Sequence, residues 1–318
     1  MTPWRRWLLY LALALLVLRL GWYGVSRWLA RGAAVQVVGE SPSQSAQSVD
    51  TFRVGVYNIA HGRGTAPRNF GGGDRAVKAK RLRDIADVLR DADLDLVIIN
   101  EADFQSTWSH EVNHAERLAD LAGYPMRAEQ RNFDVSLPLS VYRFGNAVLS
   151  RHPILSAELV DYPHYSRAER WLGGQKLGLM VTVQLGDRPV RLLAVHLEHR
   201  SPMIRVETAR VILELAKEPG PPLLLAGDFN SQPAFFPNTE LDHAGDSALS
   251  VLIDGGFLTE PMGPPNEGDL TFPSTGPEEV LDWVMVPEGW TIMDREVPQN
   301  TLSDHLPVFT TLRFPSSD

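Results

Sequence analysis

The chain has 318 residues, of which 44% are hydrophobic, and its 30 Lys and Arg residues against 39 Asp and Glu residues give a formal net charge of −9. This length can bury one large core or two modest ones, and the acidic charge does not favour a general nucleic-acid binder. The absence of cysteine excludes disulfides, thiolate catalysis and cysteine-ligated zinc.

The N-terminus carries a long apolar segment. Residues 7–25 come close to the ~20 residues that cross a bilayer as a helix, and Trp and Tyr residues flank them as interfacial aromatics do. We predict that residues 1–31 form an uncleaved transmembrane anchor. The alternative is a cleaved signal peptide, in which Arg5 and Arg6 precede the apolar run. We expect the rest of the chain on the extracytoplasmic side of the membrane, or secreted if the segment is cleaved.

Residues 32–50 are predicted to be a polar linker. Residues 40–50 are rich in Ser and show no hydrophobic periodicity, which is typical of a flexible connection. The body then extends over residues 51–315 and contains no internal repeat.

The body alternates between strand and helix patterns. Runs of apolar and β-branched residues predict strands at residues 52–58, 95–100, 146–150, 154–161, 177–185, 190–197, 223–226, 281–286 and 306–314. Helical spacing predicts helices at residues 76–90, 112–122, 204–216 and 248–255. This mixture of hairpins and crossovers predicts α+β layers with packed sheets rather than one parallel sheet.

Polar side chains follow two of the most apolar strands. Asp228 and Asn230 come after a buried run, and period-2 geometry places them on the same side if the chain stays extended. Asp304 and His305 are adjacent at the mouth of another apolar strand. Oxygen ligands together with a histidine suit a hard cation such as Mg²⁺ that acts on a phosphate.

One motif points to a different chemistry. His110, Glu111 and His114 satisfy the H-E-x-x-H pattern of zinc metalloproteases, in which two histidines one helical turn apart bind zinc. However, Glu116 follows where such helices usually continue apolar, and no well-placed third ligand stands out downstream. We therefore interpret this segment as an ordinary surface helix.

Taken in order, the polar segments of the body resemble the endonuclease/exonuclease/phosphatase superfamily, which includes pancreatic-type deoxyribonucleases, abasic-site endonucleases, inositol-polyphosphate 5-phosphatases and neutral sphingomyelinases. The resemblance covers residues 52–314 and rests on ordered segments: Tyr57-Asn58-Ile59, Asn100-Glu101-Ala102-Asp103, Gly145-Asn146 with residues 147–151, His196-Leu197-Glu198-His199-Arg200, Gly227-Asp228-Phe229-Asn230 with Leu281-Asp282-Trp283, and Ser303-Asp304-His305. It implies a four-layer α/β/β/α sandwich of two packed mixed sheets, here preceded by one N-terminal hydrophobic helix, with the site at the upper edge of both sheets.

The resemblance also implies a metal centre. Glu101 matches the metal-binding glutamate of the family, and Asn58 and Asp304 match its companions around Mg²⁺, for which Mn²⁺ can substitute. The chain departs from the family at residues 101–103, where Glu-Ala-Asp replaces the commoner Gln-Glu-Val, but the acidic ligand itself is kept.

The catalytic roles follow from the same resemblance. Asp228 matches the aspartate that orients or deprotonates the attacking water, and Asn230 matches the amide that holds the phosphoryl oxygen. Asp282 and His305 match an Asp–His pair in which the carboxylate fixes the tautomer of the imidazole and favours its protonated form. His196 matches a second histidine over the phosphate.

Three further residues are candidates for substrate contact, and each has a structural alternative. His61 either reaches substrate or caps its loop, Arg200 either contacts a phosphate or is a solvated residue at a helix start, and Asn146 either contacts substrate or closes a turn.

The sequence as a whole predicts a monomeric, metal-dependent phosphoesterase that hydrolyses a monoester or diester by direct attack of an activated water. An acidic body on a membrane anchor favours a small or lipid-linked phosphoester as substrate. The alternatives are a DNA or RNA nuclease and a non-catalytic binding protein that retains the fold.

Overall fold

The computed structural model describes residues 2–30, 35–42, 49–172 and 174–315. Its first element is a helix, α1 (Pro3–Ala30), which is long and apolar enough to cross a membrane, a property that a signal sequence would share. The ends of the predicted anchor, Met1 and Arg31, lie outside the described residues. The same holds for residues 32–34 and 43–48 of the predicted linker.

Part of the predicted linker is a strand. β1 (Val35–Gly39) pairs antiparallel with β4 (Met126–Leu137) and forms the edge of a sheet. The prediction of a linker throughout residues 32–50 is therefore wrong at this segment, because its valines supply the β-branched side chains that favour a strand.

The first sheet has seven strands. Besides β1 and β4 it contains β2 (Thr51–Asn58), β3 (Leu96–Asp103), β5 (Ser140–Ser150), β12 (Thr291–Glu296) and β13 (Val308–Arg313). The strand order is β1-β4-β5-β3-β2-β13-β12, and β2 and β3 are parallel whereas the other neighbours are antiparallel.

The second sheet has six strands. They are β6 (Ile154–Asp161), β7 (Leu177–Leu185), β8 (Arg188–His196), β9 (Leu223–Asp228), β10 (Phe257–Thr259) and β11 (Asp282–Pro287). The order is β10-β11-β9-β8-β7-β6, with β8 and β9 as the parallel pair. Both sheets are therefore mixed, as predicted.

Helices cover the outer faces of the sheets. The helices of the body are α2 (Arg75–Asp91), α3 (His114–Ala122), α4 (Arg167–Leu172), α5 (Pro202–Ala216) and α6 (Ala248–Asp254). One core lies between the two sheets, a second packs α2 and α3 on the seven-stranded sheet, and a third packs α5 and α6 on the six-stranded sheet. These three cores separate four layers, which confirms the predicted α/β/β/α sandwich.

Every strand and helix predicted in the body is present, but β4, β10, β12 and α4 were not predicted. β4 escapes prediction because it buries polar side chains instead of alternating apolar ones. Glu129 accepts a hydrogen bond from Asn113, and Gln130 donates one to Asn132, so these groups are paired inside the fold.

The two parallel pairs determine where the polar strand ends meet. Asn58 at the end of β2 is in register with Asn100 on β3, and His196 at the end of β8 is in register with Asp228 at the end of β9. Asp282 at the start of the antiparallel β11 is also in register with Asp228. Residues far apart in the chain are thus brought to one edge of the sandwich.

Candidate active site

Asp228 lies at the centre of this edge. Its Oδ2 accepts a 3.0 Å hydrogen bond from the Asn58 side chain, and its Oδ1 accepts a 2.9 Å bond from the backbone N–H of Asn230. The N–H of Asp228 donates to Asn100 Oδ1 at 3.0 Å, which fixes the backbone from the other side. Burial raises the pKa of Asp228 to about 6, although His305 opposes the change. The buried carboxylate is therefore both held in place and able to take up a proton near neutral pH.

Glu101 is aimed into the site by an irregularity in β3. The register with β5 shifts between Ile99 and Ala102, as at a β-bulge, and Glu101 has φ = 53°. A non-glycine residue in this region is strained, and such strain is common at functional sites. The Glu101 side chain is 24% exposed, and its carboxylate accepts no hydrogen bond from any described residue.

Cationic groups surround that carboxylate. His61 Nε2 lies 3.5 Å from Oε2 of Glu101, and His196 Nε2 lies 3.9 Å from Oε1. Burial acts to raise the pKa of Glu101, but the charges of His61, Lys176 and the other nearby bases outweigh it and hold this pKa well below its usual range. Glu101 is therefore ionised at any physiological pH.

Asp282 and His305 form a buried pair. His305 Nδ1 donates a 2.8 Å hydrogen bond to Asp282 Oδ2, and His305 Nε2 points toward Asp228 Oδ2 at 3.8 Å. Burial lowers the pKa of His305, but Asp282 and Asp228 outweigh it and raise this pKa to about 10. The ring is thus an imidazolium whose free N–H faces the central carboxylate.

A second pair of the same kind stands on the other side of Glu101. His61 Nδ1 donates to Asp103 Oδ1 at 2.8 Å, and Trp108 Nε1 donates to the other oxygen of Asp103 at 2.7 Å. His61 has φ = 54°. Burial lowers the pKa of His61, but Asp103 and Glu101 outweigh it and raise this pKa overall. The sequence identified His61 but not Asp103 as its partner.

Lys176 also enters the site and was not predicted from the sequence. Its Nζ contacts Nε2 of His196 and lies 3.2 Å from Nδ1 of the same ring. Burial and the charge of Lys176 lower the pKa of His196, whose Nε2 is 3.7 Å from Asp228 Oδ2. No motif marks Lys176, since it follows a glycine-rich loop, and only the fold brings it to His196.

Part of the site lines a cleft of about 220 Å³. Its lining includes His61, Glu101, Lys176, His196, Glu198, His199 and Arg200. Arg200 lies at the exposed rim, where its Nε donates to Glu198 at 2.9 Å and its guanidinium stands over Tyr165. A cleft of this size with several bases suits a phosphate and a small attached group.

Asp304 and Asn230 border the site with part of each side chain engaged. Asp304 Oδ2 accepts a 2.7 Å hydrogen bond from Arg63, a residue that the sequence did not single out. Asn230 has φ = 46°, and its side-chain amide donates to the carbonyl of Leu197 at 3.1 Å. The other oxygen of Asp304, Oδ1, accepts a 3.4 Å hydrogen bond from Ser303 Oγ.

The structure does not place Asn146 at the cleft. Its side chain is buried, accepts from Asn100 at 2.9 Å, and donates to Gln130 and to the carbonyl of Leu177, both at 3.0 Å. Every polar group of this amide is engaged beneath the site, so the prediction of substrate contact is wrong. Asn146 instead links β3, which carries Glu101, to the start of β7, directly after Lys176.

The H-E-x-x-H segment has no zinc-protease geometry. His110 ends a 3₁₀ turn (Thr107–Ser109) in the left-handed conformation, and α3 begins only at His114, so the two histidines do not share a helix. Asn113 caps α3, which explains why the helix starts later than predicted. His114 is buried and accepts from the N–H of Asp103.

The donor set fits a divalent cation. Glu101 is ionised and strained, and no residue in the described part of the chain donates a hydrogen bond to it, as expected of a carboxylate ligand before metal binding. A second placement is adjacent: Asp228, Asp282 and His305 offer ligand atoms within 4.8 Å of one another, and Oδ1 of Asp282 is buried with no hydrogen-bond partner among the described residues. The predicted Asn58 uses its Oδ1 to accept from the N–H of Ala60.

Comparisons with known proteins agree with this arrangement. A family model described as the Endonuclease/Exonuclease/phosphatase family matches residues 55–305. An endonuclease/exonuclease/phosphatase from Beutenbergia cavernae is similar at 22% identity and TM-score 0.64, over 84% of this chain and 72% of that one. No curated protein matches the chain.

Two other similar structures have names that specify a substrate. A mannosyl-6-phosphatase from Bacteroides thetaiotaomicron is 15% identical with TM-score 0.58, over 83% of this chain and all of that one (100%). TDP2 from D. rerio, complexed with a single-strand DNA product, is 15% identical with TM-score 0.57, over 83% of this chain and 99% of that one. At these identities the likeness concerns the fold alone.

Proposed function

Because the chain belongs to the Endonuclease/Exonuclease/phosphatase family, whose members are hydrolases acting on phosphoester bonds, we propose that it hydrolyses a phosphoester by direct attack of water with the help of a divalent metal. The observation that carries this proposal is the set of donors and bases converging on Asp228: Asn58, Asn230, His196 and His305.

Asp228 is the proposed general base. A carboxylate with a pKa of about 6 is ionised at neutral pH yet basic enough to accept a proton from the attacking water. The amide of Asn58 and the N–H of Asn230 orient its two oxygens. Asn230 is proposed to hold a phosphoryl oxygen with its remaining amide hydrogen.

The imidazoles and Lys176 are proposed to stabilise charge on the phosphoryl group. His305 is held protonated by Asp282, and His61 is held by Asp103, so both present an N–H to the site. Lys176 stands beside His196. Preorganised donors of this kind stabilise a developing negative charge without reorganising in the transition state. Arg200 at the rim is proposed to contact the leaving group.

The metal is proposed to be Mg²⁺, with Mn²⁺ as a substitute, since the ligands are oxygens. Glu101 would hold it, with Asn58 and Asp304 at its border, and it would supply Lewis acidity at the phosphoryl oxygens. The group of Asp228, Asp282 and His305 is the alternative position.

The substrate is proposed to be a small or lipid-linked phosphoester. The cleft of about 220 Å³ is small, and the net charge of −9 disfavours a long polyanion. The described apolar helix α1 supports a membrane anchor. We further propose that residues 51–315 are a monomeric catalytic domain on the extracytoplasmic side. Nuclease activity is the second candidate, favoured by the likeness to TDP2 bound to DNA product.

A substrate panel tests this proposal. The full chain in detergent is assayed against p-nitrophenyl phosphate, bis-p-nitrophenyl phosphate, mannose 6-phosphate, a short-chain phospholipid and single-strand DNA, with Mg²⁺, Mn²⁺ or excess chelator. We expect metal-dependent release from at least one small or lipid ester. Cleavage of DNA alone would favour the nuclease, and inactivity throughout would favour a binding protein.

A further inference from the structure

α1 is longer than a bilayer requires. Its 28 residues extend over about 42 Å, whereas the hydrocarbon core is ~30 Å thick. The last turns of α1 are therefore left for contact with the body. Trp22 Nε1 donates to the carbonyl of Ser136 at 2.8 Å, and the N–H of Ser136 donates to Ser26 Oγ at 2.7 Å. These bonds fix the end of α1 to the end of β4.

The same turns also contact α4. The hydroxyl of Tyr23 donates to the carbonyl of Trp171 at 2.5 Å, and the two rings stack edge to face at 4.8 Å. Arg27 donates to the carbonyl of Arg170 at 3.0 Å. α1 is thus docked on two elements of the body, and the membrane segment sets the orientation of the body.

A groove of about 930 Å³ lies between the docked end of α1 and the body. Its lining carries four guanidinium groups, from Arg27, Arg131, Arg167 and Arg170, and two carboxylates, from Asp134 and Asp161. Arg131 pairs with Asp134 at 2.7 Å, and Arg170 lies 3.6 Å from Asp161. Positive charge therefore remains in excess in a protein that is acidic overall.

Arg167 contributes to this excess, because it makes no hydrogen bond or ion pair with any residue that the structure describes. The guanidinium of Arg27 is engaged by the carbonyl of Arg170 and stands over the ring of Phe133 at 5.0 Å. Arg167 is therefore placed to bind an anion.

The surroundings of the groove are those of a membrane interface. Trp28 (71% exposed) and Trp171 (43% exposed) line it. Leu139, at the tip of the hairpin formed by β4 and β5, is 97% exposed, next to the strand end that bonds to α1. Exposed Trp and apolar side chains beside a transmembrane helix are typical of the headgroup region.

We propose that this groove binds the anionic phosphate headgroup of a phospholipid from the bilayer that α1 spans. The inference rests on the proposed membrane placement of α1 but not on the proposed catalysis. The groove and the catalytic cleft share Asn132 and Gln175 in their linings. A lipid held there brings the mouth of the cleft to the membrane surface.

Lipid retention tests the proposal. The full chain is reconstituted in nanodiscs of equimolar phosphatidylcholine and phosphatidylglycerol with chelator present, and native mass spectrometry counts the lipids that remain bound. We expect the wild type to retain phosphatidylglycerol in preference. The double variant Arg167→Ala/Arg170→Ala should lose this preference by about tenfold. The control Arg75→Ala/Arg83→Ala removes the same charge from α2, outside the groove, and should keep it.

Insertion of the hairpin tip at Leu139 into the bilayer is measured separately. Because the chain has no cysteine, Leu139→Cys accepts a single fluorescent label. We expect brominated lipids to quench it, and not to quench a label at Met293→Cys on β12, at the opposite edge of the seven-stranded sheet. Equal retention of the two lipids, equal retention by both double variants, or an unquenched Leu139 label would overturn the proposal. Hydrolysis of p-nitrophenyl esters by the same nanodisc samples, after the chelator is replaced with Mg²⁺, reports on catalysis independently.

Discussion

Replacing Asp282 with Asn tests how a buried carboxylate sets the charge of an imidazole. Asp282 Oδ2 accepts the 2.8 Å bond from His305, and both side chains are buried. The pKa of His305 rises from 6.5 to about 10, since Asp282 and Asp228 outweigh the opposing effect of burial. This difference corresponds to a preference on the order of 5 kcal/mol for the protonated ring, to which the Asp282 charge is the largest favourable contribution.

In Asp282→Asn the ring should be neutral above neutral pH, and its tautomer is no longer fixed. We expect turnover to fall on the order of 10²–10⁴. The remaining activity should decline as pH rises through the unperturbed range of histidine. In the wild type, deprotonation of His305 should not reduce turnover below a pH of about 10.

The assay is kcat against pH with the best ester of the panel, at saturating metal. Asp187→Asn, in the exposed turn between β7 and β8, is the control for loss of one carboxylate. Urea unfolding shows whether the variant keeps its fold. An Asp282→Asn enzyme that folds and keeps both the wild-type turnover and its pH profile would refute this account of His305.

Three further predictions concern other parts of the site. Lys176→Met removes the charge beside His196, so turnover should fall about 10²-fold, and turnover within about twofold of the wild type would contradict the proposed role. Glu101→Gln should weaken Mn²⁺ binding by at least about tenfold in calorimetry, and a larger effect of Asp282→Asn would place the ion at the alternative group. Burial lowers the pKa of His114 from 6.5 to about 4. Between these two pH values the unfolded state binds the proton and the folded state does not, so the free energy of unfolding decreases as the pH falls, by about 2 kcal/mol at pH 5 relative to neutral pH. Urea unfolding at pH 7.5 and pH 5 should show a smaller acid loss in His114→Gln, and an equal loss would contradict the assignment.

The sequence predicts the parts of this site that lie on strand ends. Asp228, Asp282 and His305 follow or precede apolar runs whose register the fold preserves, so their convergence could be expected. Lys176 and Asp103 could not be predicted as partners of His196 and His61, because these contacts join loops and strands that only the folded chain brings together.

The sequence likewise predicts most of the strands and helices of the fold but not all of them. The apolar strands and amphipathic helices are visible in the sequence, whereas β4 is hidden by its buried polar residues. Asn146 shows the reverse case, in which a family-like segment supplies structural hydrogen bonds and not substrate contact. The docking of α1 depends on side chains such as Trp22 and Tyr23, which in the sequence indicate only a membrane interface.

The most direct test of the central claim is the turnover of Asp228→Asn. The full chain and the variant are compared on the best ester of the panel with Mg²⁺ and with excess chelator. Asn58 and Asn230 would lose the ionised oxygens that they now orient. We expect turnover to fall on the order of 10²–10³ in the variant and to vanish in chelator for the wild type. Wild-type turnover in Asp228→Asn, or full activity in excess chelator, would contradict metal-dependent hydrolysis centred on Asp228.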